Sequence, residues 1–213
     1  MITLFKKQSF FFPTIWGFIL IFLFVIVINT FFFLTIHPFL AQTTTVKTSC
    51  LIVEGWVPDY CLKKVDSLYN TGTIKHIFVT GGPIERGSYL LQYTTFANLG
   101  ALSLQKAGIP DSVISVVPAP LVIKDRTFTS AVSLRTWFLS NKITLTDANI
   151  VTLGVHSRRS LMVFKKVFPE CNLGVLSVAN DSYDSRRWFL SSEGAKTVIT
   201  ESISFLYSLV SYQ

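Results

Sequence analysis

The run from Thr14 to Ile36, TIWGFILIFLFVIVINTFFFLTI, holds 23 residues and not one charge. As a helix rising 1.5 Å per residue it reaches about 34 Å, enough to cross a hydrocarbon core of roughly 30 Å. A helix satisfies its own backbone polar groups, which lipid cannot do. Inside the run only Asn29, Thr30 and Thr35 are polar, and no polar stripe marks a solvated face as it would on a core helix. The residues predict a transmembrane helix over 14–36, with Trp16 and Phe39 near the interfaces. Lys6 and Lys7 precede the span and only Lys47 lies within the dozen residues after it. The positive-inside rule then keeps residues 1–13 in the cytoplasm and sends the rest outside, as a signal-anchor of the inner (plasma) membrane. A cleaved signal peptide competes, since Leu40-Ala41-Gln42 offers a small residue after the span. The run is longer than the roughly 7–15 apolar residues usual in such a peptide.

Composition divides at the same place. Of 19 Phe, 11 lie before residue 40, and the first 46 residues hold two Lys and no Asp or Glu. The other 167 hold 17 Lys+Arg against 12 Asp+Glu, a net +5. A short polar linker over 37–47 ends in QTTTVK, and one domain over 48–213 is large enough to bury its own core. Mean hydropathy of +0.49 excludes a disordered chain.

The body alternates apolar strands with helix patterns. SCLIV (49–53), HIFVT (76–80), 113–117, 149–153 and 173–178 read as strands. Helices are expected after Pro58, over 90–107, over 127–141 with Ala131, Leu134, Trp137 and Phe138 on one face, over 157–168, and over 193–209. In the last of these, Ile199, Ile203, Leu206 and Val210 recur at helical spacing. Such alternation predicts an α/β fold: a Rossmann-like three-layer sandwich with a mainly parallel five-stranded sheet.

Ligands of such folds sit beyond the carboxyl ends of the strands. There this sequence places Glu54-Gly55-Trp56, Gly81-Gly82 followed by Glu85, Arg86 and Gly87, Asp125-Arg126-Thr127, His156-Ser157-Arg158-Arg159, and Asn180, Asp181 and Asp184. Gly81-Gly82 reads either as a tight turn or as a close approach for a phosphate. Thr127 and Ser157 suit helix N-caps, and also anion-binding helix ends. Arg158 and Arg159 oppose the dipole of the helix they open, so each needs a partner anion. His156 is the one His on a strand-end loop, and Glu54 the nearest carboxylate to pair with it or with Arg159. That pairing would be structural, or would hold His156 as an acid or base. Candidate catalytic residues are thus His156 and Glu54. Candidate ligand-binding residues are Gly55, Gly81, Gly82, Thr127, Ser157, Arg158 and Arg159.

The chain has no GxGxxG, Walker or GxSxG motif, so no cofactor is expected. No metal site is expected from a single candidate His, and no nucleic-acid motif is present. Lys165-Lys166 and Arg186-Arg187 read as solvated faces, or as contacts to an anionic membrane surface. The three cysteines form no framework, though Cys50 and Cys171 both fall near amino ends of strands, where a bridge is open.

Taken in order, several of these pieces resemble the ElyC/SanA/YdcF family. They are the strand into Glu54-Gly55-Trp56, IFVTGG into Gly81-Gly82, KAGIP at 106–110, DRTFTSA at 125–131, LGVHSRRS at 153–160, and RRWFLSSEGAKTVITE at 186–201. The resemblance covers roughly 49–207 and implies a Rossmann-like sheet with a polar pocket at its strand ends. It carries the family's Gly-Gly turn onto Gly81-Gly82, its Asn-Thr element onto Thr127, and its His-x-x-Arg onto His156 and Arg159. This chain departs where Thr129 and Ser130 replace a usual Glu and Asn. An acidic residue usual in the helix after Gly-Gly is also not evident. The family is linked to cell-envelope integrity and to peptidoglycan or surface-polysaccharide assembly, and one relative to a nucleoside-type ligand, with no settled reaction.

Two functions are expected from this. In one, the external pocket binds an anionic, phosphate-bearing ligand, such as a lipid-linked or nucleotide-like precursor. In the other, the body is a non-catalytic scaffold or regulator that docks an envelope partner. Nothing in the sequence sets an oligomeric state.

Overall fold

Alternating apolar runs of five to seven residues build the sheet of this computed structural model, which describes residues 11–85 and 93–211. The chain divides into two compact units at Thr35/Ile36. The first contains most of helix α1 (Ile15–Leu40), which is long and apolar enough, by length and composition, to cross a membrane. Within it Asn29 and Thr35 return their side chains to carbonyls one turn back, Val25 O and Phe31 O, so neither polar group is left unpaired in an apolar setting.

The second unit begins with the last turn of α1. Leu40 there is fully buried with Trp188, Val198 and Phe205. Pro38 sits in this final turn, where few backbone donors follow it. The segment expected as a linker is held: Thr44 exchanges both backbone hydrogen bonds with Val175 at 2.9 Å, and the Asn149 side chain pairs with both backbone groups of Val46 at 2.8 Å. Gly174 makes this possible, since a Cβ there would lie 2.6 Å from Thr44 O. The segment covers the edge of the sheet, which would otherwise expose unpaired backbone groups.

Strands β1 (Cys50–Glu54), β2 (His76–Gly81), β3 (Ile114–Pro118), β4 (Asp147–Leu153) and β5 (Asn172–Val178) are all parallel, in the order β3-β2-β1-β4-β5. Helices α2 (Asp59–Tyr69) and α3 (Phe96–Lys106) cover one face, α4 (Arg126–Ser140) and α5 (Ser157–Val167) the other. Helix α6 (Ser192–Ser211) packs beside α5. Strand alternation sorts the core: Leu51, Val53 and Val79 pack with Val65 and Leu104, while Ile52, Phe78 and Ile150 pack with Leu134 and Phe164. Each such side chain contributes roughly 1.5–3 kcal/mol. The three-layer parallel architecture expected from the sequence is the one observed.

One expectation is corrected. Helix α3 starts at Phe96, not near residue 90, because Thr95 caps it by accepting from the Asn98 amide. Arg86, Gly87 and residue 90 lie outside the described residues. In α6, Gly194, Val198, Glu201, Phe205 and Ser208 face the protein, while Ile199, Ile203, Leu206 and Val210 face out. Cys50, Cys61 and Cys171 are free thiols.

Candidate functional site

The strand order reverses between β1 and β4, with β2 and β3 to one side and β5 to the other. Crevices at this point of a doubly wound sheet receive ligands. Here three neighbouring strands each carry, at the last or next-to-last position, a polar residue on the face toward α4 and α5: Thr80 on β2, Glu54 on β1 and Thr152 on β4. Glu54 is 2% exposed. Its Oε2 accepts hydrogen bonds from Thr152 Oγ1 and, at 3.0 Å, from Ser160 Oγ.

Beyond β4 the chain turns at Gly154, whose φ of 46° is left-handed and suits glycine, into the short 3-10 turn Gly154–His156 and then α5. That turn sets His156 over the end of β1. His156, Arg159 and Ser160 follow at helical spacing, so all three face the same crevice. His156 Nε2 lies 3.6 Å from Glu54 Oε1 and 3.5 Å from Thr127 Oγ1, and Trp56 meets its ring edge-on at 5.0 Å.

On the other side of the ring, His156 Nδ1 lies 3.1 Å from Glu201 Oε2 and 3.0 Å from Arg159 Nη2. Arg159 Nε also donates to Glu201 Oε1, and Nη1 to Thr127 Oγ1 at 3.4 Å. A protonated Nδ1 donates to Glu201, and an unprotonated Nδ1 accepts from Arg159, so the ring can gain or lose a proton without moving.

Burial alone would lower the His156 pKa. The charges and hydrogen bonds of Glu54 and Glu201 overcome this and raise it to about 9. Burial would likewise raise both carboxylates. For Glu54 the His156 charge and the bonds from His156, Thr152 and Ser160 prevail; for Glu201 those with His156 and Arg159 do. Both are held below the ordinary range. His156 is therefore an imidazolium at neutral pH, clamped between two carboxylates.

His156, Glu54, Trp56 and Arg159 line one side of a cavity of about 450 Å³, a size common among small-molecule sites. Gly81 and Gly82, the 119–125 loop and the start of α4 form the other walls, with Ser204, Tyr207 and Ser208 of α6. Thr80 Oγ1 is buried in this wall with no hydrogen-bond partner among the described residues. Lys124 and Arg126 stand at the opening, and Arg126 pairs with Glu85 at 3.3 Å.

The structure brings His156, Glu54, Arg159, Thr127, Gly81 and Gly82 to this cavity. It does not bring Ser157, Arg158 or Gly55 there. Ser157 is fully buried, and its hydroxyl reaches Leu40 O at 3.1 Å and Gln42 O at 2.8 Å, meeting carbonyls where α1 ends. Arg158 turns the opposite way, donating to Phe39 O and lying 3.9 Å over the Phe39 ring. Gly55 and Gly81 are glycines for packing: a Cβ would fall 2.3 Å from Phe96 O at Gly55, and 2.8 Å from Phe96 Cβ at Gly81. Gly82 alone has open space, its nearest atom being Pro120 O at 3.8 Å.

Neither expected hydroxyl caps its helix. Asp125, in the left-handed region at φ 63°, holds the cap position of α4 without a side-chain cap bond, and Thr127 sits within the first turn. His156 precedes α5, again without a side-chain cap. The partner of Arg159 is Glu201, not Glu54, and the two guanidiniums that looked alike in sequence are satisfied separately. The cavity expected to bind an anion is thus nearly charge-balanced.

Sequence reasoning missed Glu201, Thr80 and Thr152. Glu201 shares its face with Val198 and Phe205, and a carboxylate on an apolar stripe is the signal that marks it. Among the described residues no three His, Cys, Asp or Glu side chains converge as metal ligands. Asn180, Asp181 and Asp184 do not line the cavity; the Asp181 amide instead donates to Tyr60 Oη at 3.3 Å. In comparisons with known proteins, no family model, no curated protein and no solved structure matches this chain.

Proposed function

We propose that this is a single-pass envelope protein of the plasma membrane, residues 1–13 inside and the body outside. Its cavity takes an anionic, phosphate-bearing ligand and uses His156 as proton donor. The observation that carries this reading is that His156 and Arg159 face the same cavity as the first turn of α4, at Thr127. The first amides of a helix have no intrahelical acceptor and favour an anion. Lys124 adds positive charge at the opening. The resemblance to the ElyC/SanA/YdcF family agrees with an envelope role.

At a phosphate ester the chemistry is hydrolysis. Water attacks phosphorus as the P–O bond to the leaving group breaks. The leaving oxygen takes a proton from His156, and the attacking water returns one to the ring. Glu54 and Glu201 hold the ring in place and stabilise its charged form.

The test is calorimetry on the purified full chain in nanodiscs with inorganic phosphate and a nucleoside-diphosphate sugar, together with phosphate release. Saturable binding of at least one probe, weakened tenfold or more by His156→Gln, is expected. Absence of binding by either, or binding untouched by His156→Gln, rejects the reading. A scaffold that docks an envelope partner would then be left, testable by whether His156→Gln restores envelope integrity as fully as the native chain.

A further inference from the structure

The outer stripe of α6 is apolar and has no protein partner among the described residues: Ile203 is 63% exposed, Leu206 61% and Val210 72%. Single exposed apolar residues are ordinary, but a contiguous set is not. This one adjoins the cavity, because Tyr207 of the same helix lines it. A second element brings more. In the 119–125 loop, Leu121 is 70% exposed and Ile123 fully so, and both also line the cavity. Two separate segments therefore present bare hydrocarbon around one opening, with Lys124 and Arg126 beside it.

Apolar side chains alternating with cations are what a lipid headgroup region accepts. The location agrees. Phe39, in the last turn of α1, packs edge-on against Phe205 of α6 at 5.6 Å. The apolar run expected to cross the bilayer ends one helical turn before Phe39. Arg158, stacked on the Phe39 ring, adds a further cation near that point.

We propose that the cavity opening is a bilayer-docking rim, in which Leu121, Ile123 and the outer stripe of α6 insert at the lipid interface, so that the ligand is a membrane-resident amphiphile whose anionic head enters the cavity. The ligand class rests on the reading above; the docking does not. A hydrocarbon tail stays in lipid while the head meets Thr80, His156 and the start of α4.

The experiment uses the full chain in liposomes, with Cys50, Cys61 and Cys171 changed to Ala. An environment-sensitive fluorophore is placed singly at 121, 123, 203 or 206, and as controls at Leu139 and Ile143, exposed near the far end of α4. Nitroxide-bearing lipids are expected to quench the first four positions at least threefold more than the controls. Equal, weak quenching at all six overturns the proposal. A blue shift without lipid quenching also overturns it and assigns the face to a second copy of the chain. Should the cysteine-free chain misfold, a genetically encoded fluorescent amino acid at the same positions in the native chain gives the same readout. Quenching without phosphate binding keeps the rim and rejects the ligand reading; phosphate binding without quenching does the reverse.

Discussion

Glu201 Oε2 lies 3.1 Å from His156 Nδ1, tying the last helix to the turn that leaves β4. The contact fixes the ring, and it makes the protonation of one residue part of the stability of the body.

The sign of that coupling sets a pH profile. The folded pKa of His156 is raised from 6.5 to about 9, so its stabilisation is complete below about pH 6.5 and is lost as pH rises toward 9. Glu54 and Glu201 are lowered from 4.5, so theirs is complete above about pH 4.5 and lost as pH falls through the lowered values. Denaturant midpoints should therefore peak between pH 4.5 and 6.5. The His156 contribution is on the order of 3 kcal/mol, and His156→Gln should flatten the decline between pH 6.5 and 9. A decline of equal steepness in that variant would assign it to other groups.

Glu54 is the counter-ion beneath His156, with Thr152 and Ser160 donating to it. Removing one partner of a buried pair leaves the other uncompensated, at a cost of about 3–5 kcal/mol. Unfolding of Glu54→Ala should show a loss of that size, and Glu54→Gln, which keeps an acceptor, a smaller one. A loss under about 1 kcal/mol in the Ala variant would mean that Glu54 is solvated.

Gly55 and Gly82 separate packing from binding. Gly55→Ala would set a Cβ against the Phe96 carbonyl and push α3 off the sheet, costing about 1–3 kcal/mol. Gly82→Ala has room and should leave thermal unfolding nearly unchanged. Comparable losses in the two variants would contradict the close approach of α3 at Gly55.

The parallel sheet was legible because its strands are buried on both faces and read as continuous apolar runs, and because Pro58, Gly72 and Gly108 mark helix ends. Half the site was legible for a related reason: Glu54 and His156 stand where apolar strands stop. Thr80 and Thr152 occupy equivalent positions, but Thr is common in strands and carries no signal of its own. Glu201 is 45 residues from His156, and no local pattern joins them. The buried face of α6 was not legible because the outer stripe is the more apolar one; Ile199, Ile203 and Leu206 outweigh a protein-facing stripe that holds Glu201 and Ser208. Ser157 and Arg158 looked like site residues because nothing local reveals that the end of α1 packs against α5.

The most direct measurement is a nitrogen-15 NMR titration of the His156 ring in the full chain, with and without inorganic phosphate. The account predicts a pKa near 9, raised further when phosphate occupies the cavity. A ring that titrates near 6.5 and ignores phosphate would contradict it.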